Sequence, residues 1–184
     1  MVRLFASALV ALALVTGSAL AALGGPAPGV SVGWDGVVDS SGTVRFVALP
    51  AVSTTTIAAV RTSDGRVLRY RTIQGVFGIP LVAFDGTAEG VSRDGRTLLL
   101  ADVAASAEQT HFAVLRTATF RVAKKFTLPG RWAYDALSPD GRILYATEYL
   151  GAGANPRYQI RSAASPAASR SAARSSTSAS RTRR

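Results

Sequence analysis

Ser138-Pro139-Asp140-Gly141-Arg142-Ile143-Leu144-Tyr145-Ala146 sets a turn of proline, aspartate and glycine in front of an apolar run. Ser92-Arg93-Asp94-Gly95-Arg96-Thr97-Leu98-Leu99-Leu100-Ala101 does the same 46 residues earlier. Pro139 sets φ near −65° at the second turn position, Asp140 bonds back to the backbone, and Gly141 accepts a positive φ. Ser92, Asp94 and Gly95 supply the same turn without the proline, and Ser63-Asp64-Gly65 is a shorter relative. Each lies between two apolar runs, which makes it a hairpin tip. A second pair, Ile57 to Gly75 and Phe112 to Gly130, aligns without gaps at an offset of 55. Its matches include Arg61/Arg116, Thr62/Thr117, Arg66/Arg121, Val67/Val122, Thr72/Thr127 and Gly75/Gly130. Periods of roughly 40 to 55 residues filled with short strands are the signature of propeller blades.

Working outward, the chain is a succession of short apolar runs between turns, with no sustained helical period. Thr43 to Leu49, Thr56 to Arg61 and Val67 to Ile73 read as strands, as do Leu81 to Phe84, Gly90 to Ser92 and Thr97 to Asp102. Phe112 to Thr117, Val122 to Leu128, Ala133 to Ser138, Ile143 to Tyr149 and Arg157 to Ile160 continue the series. The expected class is all-β, with antiparallel four-stranded blades of an incomplete β-propeller. Thr97 to Ala101 and Ile143 to Ala146 are apolar on both faces and suit inner strands. Leu68 to Thr72 and Val122 to Phe126 carry cations and suit outer edges, where charge discourages edge-to-edge pairing.

One blade is expected from about Leu81 to Leu128, with about three strands on either side. That is about two and a half blades over residues 42–161, where propellers close with typically four to eight. Residues 162–184 hold Ser, Ala, Arg and Thr with a single proline, too little apolar surface to fold. This stretch reads as a disordered tail. A frameshifted end accounts best for its abrupt start, ahead of a basic tail for anionic wall polymers or headgroups and a plain solvated one. At the other end, Arg3, the apolar Leu4 to Val15 and Ala19-Leu20-Ala21 read as a signal peptide over residues 1–21. Residues 22–41 follow as a leader and first loop. The expected location is secreted or extracellular, or membrane-anchored if the N-terminal segment stays uncleaved.

The formal charge of +10 is a property of the tail. Six arginines fall in the last 24 residues, whereas residues 23–160 hold 14 Lys and Arg against 11 acids. A specific nucleic-acid partner is therefore not expected of the folded part. The chain has no cysteine, hence no disulfide framework and no lipoprotein attachment site.

The turns and the strands behind them, Thr97 to Asp102 and Ile143 to Glu148, resemble the TolB-like and surface-layer (YVTN-type) β-propeller repeats. In those families Ser-Pro-Asp-Gly-Lys/Arg joins two strands of a blade. The resemblance spans roughly residues 42 to 160; WD-repeats fit less well, lacking here a Gly-His pair. It implies a non-enzymatic binding or scaffold module with a protein or cell-envelope polymer as partner. The alternatives are a fragment of an enzyme-type propeller, lactonase or quinoprotein-like, and a non-functional truncated product.

Site signals are sparse. His111 is the sole histidine, no Gly-x-Ser-x-Gly elbow is present, and one imidazole makes no histidine-rich metal site. Asp35…Asp39 and Asp85…Glu89 each pair acids around an Asp-Gly turn, but backbone geometry alone explains those turns. No catalytic residue, cofactor or metal set is assigned. Trp132, Tyr134 and Trp34 are the candidate ligand or protein contacts. Trp132 and Tyr134 share one strand face after an inter-blade connection, and packing between blades is their competing role.

Overall fold

The computed structural model describes residues 32–33, 35–103, 108–150 and 157–164. The segment read as a signal peptide, Trp34, residues 151–156 and residues 165–184 lie outside the described residues.

The described residues are strands and turns. They run β1 (Val32–Gly33), β2 (Val37–Val38), β3 (Val44–Pro50), β4 (Thr54–Arg61), β5 (Val67–Gln74) and β6 (Phe77–Pro80). There follow β7 (Thr97–Asp102), β8 (Gln109–Arg116), β9 (Arg121–Pro129), β10 (Arg131–Leu137), β11 (Ile143–Leu150) and β12 (Arg157–Ala164). Three antiparallel sheets result: β2-β3-β4-β5, then β1-β6-β7-β8-β9, then β10-β11-β12. The protein is all-β, and these sheets are blades of a partial propeller. The cation-bearing strands β5 and β9 are the outermost of their sheets.

Apolar side chains alternate to both faces of the middle blade and hold its neighbours. Leu98, Leu100, Ala113 and Leu115 face the first blade, meeting Phe46, Ala48, Ile57 and Ala59. Leu99, Ala101, Phe112 and Val114 face the third, meeting Trp132, Tyr134, Leu144 and Ala146. β7 is thus covered on both faces. β11 meets a neighbouring blade on one face only; on the other, Thr147 and Tyr149 are buried while Ile143 and Tyr145 remain exposed.

Three expectations need correction. Leu81 to Phe84 is not a strand. The strand that pairs with β7 on its inner side is β6, and residues 81–89 form a small hairpin closed by a Leu81–Ala88 bridge. The Asp85-Gly86 turn was a real signal: the Asp85 carboxylate accepts the Thr87 amide at 2.8 Å. The apolar run before it packs on the third blade, Ala83 beside Ala133 and Tyr149 and Phe84 edge-on to Tyr158. Gly90 to Ser92 keeps a single bridge, Val91 to Leu98.

Second, the stretch read as a leader contains β1 and β2. β2 completes a four-stranded first blade, and β1 adds a fifth strand to the middle one. Two-residue strands carry no readable period. Third, β12 continues to Ala164, three residues beyond the expected boundary, with Ser162, Ala163 and Ala164 opposite Tyr145, Leu144 and Ile143. Ladder hydrogen bonds use the backbone, so small side chains suffice there.

The hairpin tips are also bonded to each other. Ser92 donates to the Asp94 carboxylate at 2.6 Å and accepts the Thr97 amide at 3.0 Å. Ser138 does the same for Asp140 at 2.8 Å and Ile143 at 2.9 Å. A third copy, Asp39-Ser40-Ser41-Gly42, exchanges the two polar residues: Ser41 donates to the Asp39 carboxylate, which accepts the Thr43 and Val44 amides. Ser40 then donates to the Arg93 carbonyl, and the Asp94 amide to the Pro139 carbonyl at 3.0 Å. The tips stitch all three blades along one edge.

Candidate functional site

Blades fan apart toward their outer strands, and between the first and second the wedge is open. Its narrow part encloses about 260 Å³ between the Gly75-Val76-Phe77 connection and the Asp102, His111, Lys125 and Thr127 side of the middle blade. A wider part of about 450 Å³ lies beside it, lined by Arg71, Thr72, Ile73, Gln74, Arg121 and Val122.

Strand register decides which side chains enter this wedge. Arg71 sits opposite Ile57 and Arg69 opposite Ala59, so both follow those core residues toward the middle blade. Lys125 lies opposite Ala113 and points back toward the first blade. Two cations are held in place: Arg69 lies over the Phe120 ring and Lys125 over the Phe77 ring, each 5.4 Å from the centroid. Lys125 also donates to the Gln74 carbonyl. Arg71 and Arg121 make no ion pair among the described residues. The wedge therefore presents cations from facing strands on rigid sheets, with a carboxylate, Asp102, at its narrow end.

His111 pairs across β8 and β9 with Thr127, its Nδ1 2.8 Å from the hydroxyl. Asp102, His111 and Thr127 line one cleft. A hydrolytic relay sets Nε2 on the hydroxyl and Nδ1 on the carboxylate; here Nδ1 faces the hydroxyl. The pair works as a cross-strand hydrogen bond.

The sequence-derived aromatic candidates are elsewhere. Trp132 is buried, its indole N–H donating to the Pro129 carbonyl at 2.7 Å. Tyr134 is 1% exposed, and its hydroxyl donates to the Glu89 carboxylate at 3.1 Å. Burial, reinforced by the Glu89 charge and hydrogen bond, pushes its phenol far above the usual range. Both rings fill the space between the second and third blades, so neither offers a face to a ligand. Trp34 lies outside the described residues. The turn residues Ser92, Asp94, Gly95, Ser138, Pro139, Asp140 and Gly141 shape hairpins, as their spacing implied.

Sequence reasoning missed the wedge. Its cations were visible one strand at a time and read as solvated edge residues; their facing across a groove depends on the packing of two blades. Asp102 and His111 carried no motif at all. Compared with known proteins, the chain matches no protein-family model and no curated protein.

Proposed function

We propose that this chain is a secreted or cell-surface, non-enzymatic binding module that takes an extended anionic polymer of the cell envelope into the wedge between its first two blades. The observation that carries this reading is that Arg71 of the first blade and Arg121 of the second line one open groove, with Arg69 and Lys125 held on rings nearby. Low-dielectric walls beneath the cations strengthen their field, and a long groove suits a chain of repeating charges. Thr72, Ile73, Gln74 and Val122 line the groove beside the cations, a mix of polar and apolar contacts that suits a sugar or glycerol backbone. Export is supported by the N-terminal pattern of Arg3, an apolar run and Ala19-Leu20-Ala21.

Titration of the protein with poly(glycerol phosphate), followed by calorimetry at several salt concentrations, tests this. Neutral dextran is the control. To separate the groove from the tail, the measurement uses a full-length variant with Arg170, Arg174, Arg181, Arg183 and Arg184 changed to Gln. Salt-sensitive binding should persist in that variant and fall at least tenfold in Arg71→Glu/Arg121→Glu. Binding that disappears with the tail arginines and ignores the groove pair refutes the reading. Hydrolysis of lactone or ester substrates, lost in His111→Ala, would favour an enzyme-type propeller instead.

A further inference from the structure

Strand register lines up four side chains across the middle blade, on the face turned to the first. Phe77 pairs with Asp102, the Ala101–Phe112 pair puts Asp102 next to His111, and His111 pairs with Thr127. Neighbouring strands lie about 4.8 Å apart, so a carboxylate, an imidazole and a hydroxyl follow one another at that step. All four residues line the narrow cavity of about 260 Å³. Asp102 and His111 are half-buried there.

The third blade carries the same row, and fills it with its own side chains. Trp132 pairs with Glu148 and Glu148 with Gln159, which places them where Phe77, Asp102 and His111 stand in the middle blade. The Glu148 carboxylate accepts the Gln159 amide at 2.7 Å and the Arg161 guanidinium at 2.9 Å. Arg161 pairs with Ala146 as Ala113 pairs with Leu100, so the counterpart of that guanidinium is the Ala113 methyl. The middle blade also has a carboxylate one methylene shorter, and its imidazole is bonded outward, Nδ1 to the Thr127 hydroxyl at 2.8 Å. That bond leaves Nε2 unused. The cavity lies at the positions that Gln159 and Arg161 occupy one blade later.

We infer that this cavity is a subsite for one neutral sugar unit carried by the polymer, an inference that rests on the groove binding proposed above. Charge selects the class of ligand. Asp102 and Lys125 both border the cavity, so a phosphate would meet the carboxylate and an ammonium would meet the lysine. A neutral polyol avoids both. Each of its hydroxyls donates and accepts, which suits a carboxylate that only accepts and an imidazole nitrogen in either tautomer. Val76 and Phe77 supply an apolar wall for the C–H face of a ring. The volume falls below the roughly 300–1,000 Å³ of pockets for drug-sized ligands, so it takes a single ring rather than an oligosaccharide. Gln74 lines the wider groove and Gly75 the cavity, so a sugar branching from a phosphate chain reaches the cavity while the chain stays among the cations.

The test compares two probes on the full chain by calorimetry: poly(glycerol phosphate), and the same polymer with glucosyl substituents at equal length and charge. The substituted polymer should bind about tenfold more tightly, the worth of one or two net hydrogen bonds. His111→Gln installs the residue of the third blade, whose amide closes on the carboxylate, and should reduce that preference to within about twofold. Asp102→Asn should weaken it in the same direction. An unchanged thermal melt verifies that each variant folds. Should one melt lower, competition in the parent decides: free methyl glucoside should erase the preference without displacing the unsubstituted polymer. Equal affinity of the parent for both polymers, a preference retained in a well-folded His111→Gln, or no competition by methyl glucoside would each overturn the subsite. If neither polymer binds but methyl glucoside does, and His111→Gln loses it, the polymer reading fails and the sugar subsite stands. If no probe binds, both fail.

Discussion

The Thr110 hydroxyl accepts the Trp132 amide at 3.0 Å and donates to the Gly130 carbonyl at 3.1 Å. Thr55, 55 residues earlier, accepts the Phe77 amide at 2.7 Å and donates to the Gly75 carbonyl at 2.8 Å. Each threonine ties the strand next to the outer edge of a blade to the segment that follows that edge strand. Valine keeps the branched shape and removes the hydroxyl, leaving a buried amide without its partner, at about 1–3 kcal/mol. Thr55→Val and Thr110→Val should each lower the urea unfolding midpoint accordingly, with serine at either position losing less. Valine variants as stable as the parent would show that the latch contributes nothing.

Gly141 separates two contributions to turn stability. Its φ is 68°, and an added Cβ would lie 2.7 Å from the Thr97 Cβ and 3.1 Å from the Ser92 Cβ, both in the neighbouring blade. Gly95 has a φ of 69° with nothing within 4 Å. Alanine at either position meets the left-handed penalty of about 1–2 kcal/mol. Only at 141 does it also push two blades apart. Thermal melts should therefore rank Gly141→Ala clearly below Gly95→Ala, and equal losses would contradict close packing of the tips.

Much of the fold was legible because hairpin turns write their geometry into local sequence. Ser138-Pro139-Asp140-Gly141 needs a hydroxyl, a carboxylate and a positive φ in fixed order, and the structure uses all three. The copy at Asp39 to Gly42 escaped notice because the carboxylate and hydroxyl trade places while making the same bonds. Thr62 and Thr117 matched in the repeat, and their bonds to the Gly42 and Gly95 carbonyls supply the reason. The wedge was not legible. Arg71 and Arg121 lie on different blades, and no local pattern states that two outer strands face each other.

Acid should weaken the fold through three surface carboxylates. The Ser138 hydroxyl and then the Arg142 amide hold Asp140 below its usual 3.8. The Arg66 amide, helped by Arg61, does so for Asp64, and the Thr87 amide for Asp85. A depressed folded pKa contributes stability above the unfolded value and loses it as pH falls through the folded one. The urea midpoint should therefore drop on acidification below about pH 4. Asp140→Asn should flatten part of that dependence; an unchanged slope would show the turn carboxylate to be uninvolved.

The alkaline limb has the opposite sign. Burial, with the nearby Tyr158 adding to it and Arg131 opposing it, pushes the Tyr149 phenol from 10.0 up to about 12. A raised folded pKa gives stability that is complete below the unfolded value and is lost as pH rises through the folded one. Unfolding midpoints should fall between pH 10 and about 12, and the fall should be shallower in Tyr149→Phe. Tyr134 acts in the same direction from a more buried position. A Tyr149→Phe variant that keeps the parent slope would assign the whole alkaline loss to other groups.

Thr147 offers a gain. Its hydroxyl is buried without a hydrogen-bond partner among the described residues, and the residue is fully covered. The register-equivalent position in β7 is Ala101, also fully buried, so the blade does not require a polar group there. A desolvated hydroxyl with no partner costs about 1–3 kcal/mol. Thr147→Val retains the branched shape that suits a strand, and it should raise the urea midpoint or at least leave it unchanged. Thr147→Ser keeps the orphan hydroxyl while deleting a buried methyl, so it should be the less stable of the two by about 1 kcal/mol. The reverse order would mean that the hydroxyl has a partner after all, for which an ordered water in the strand interior is the natural candidate.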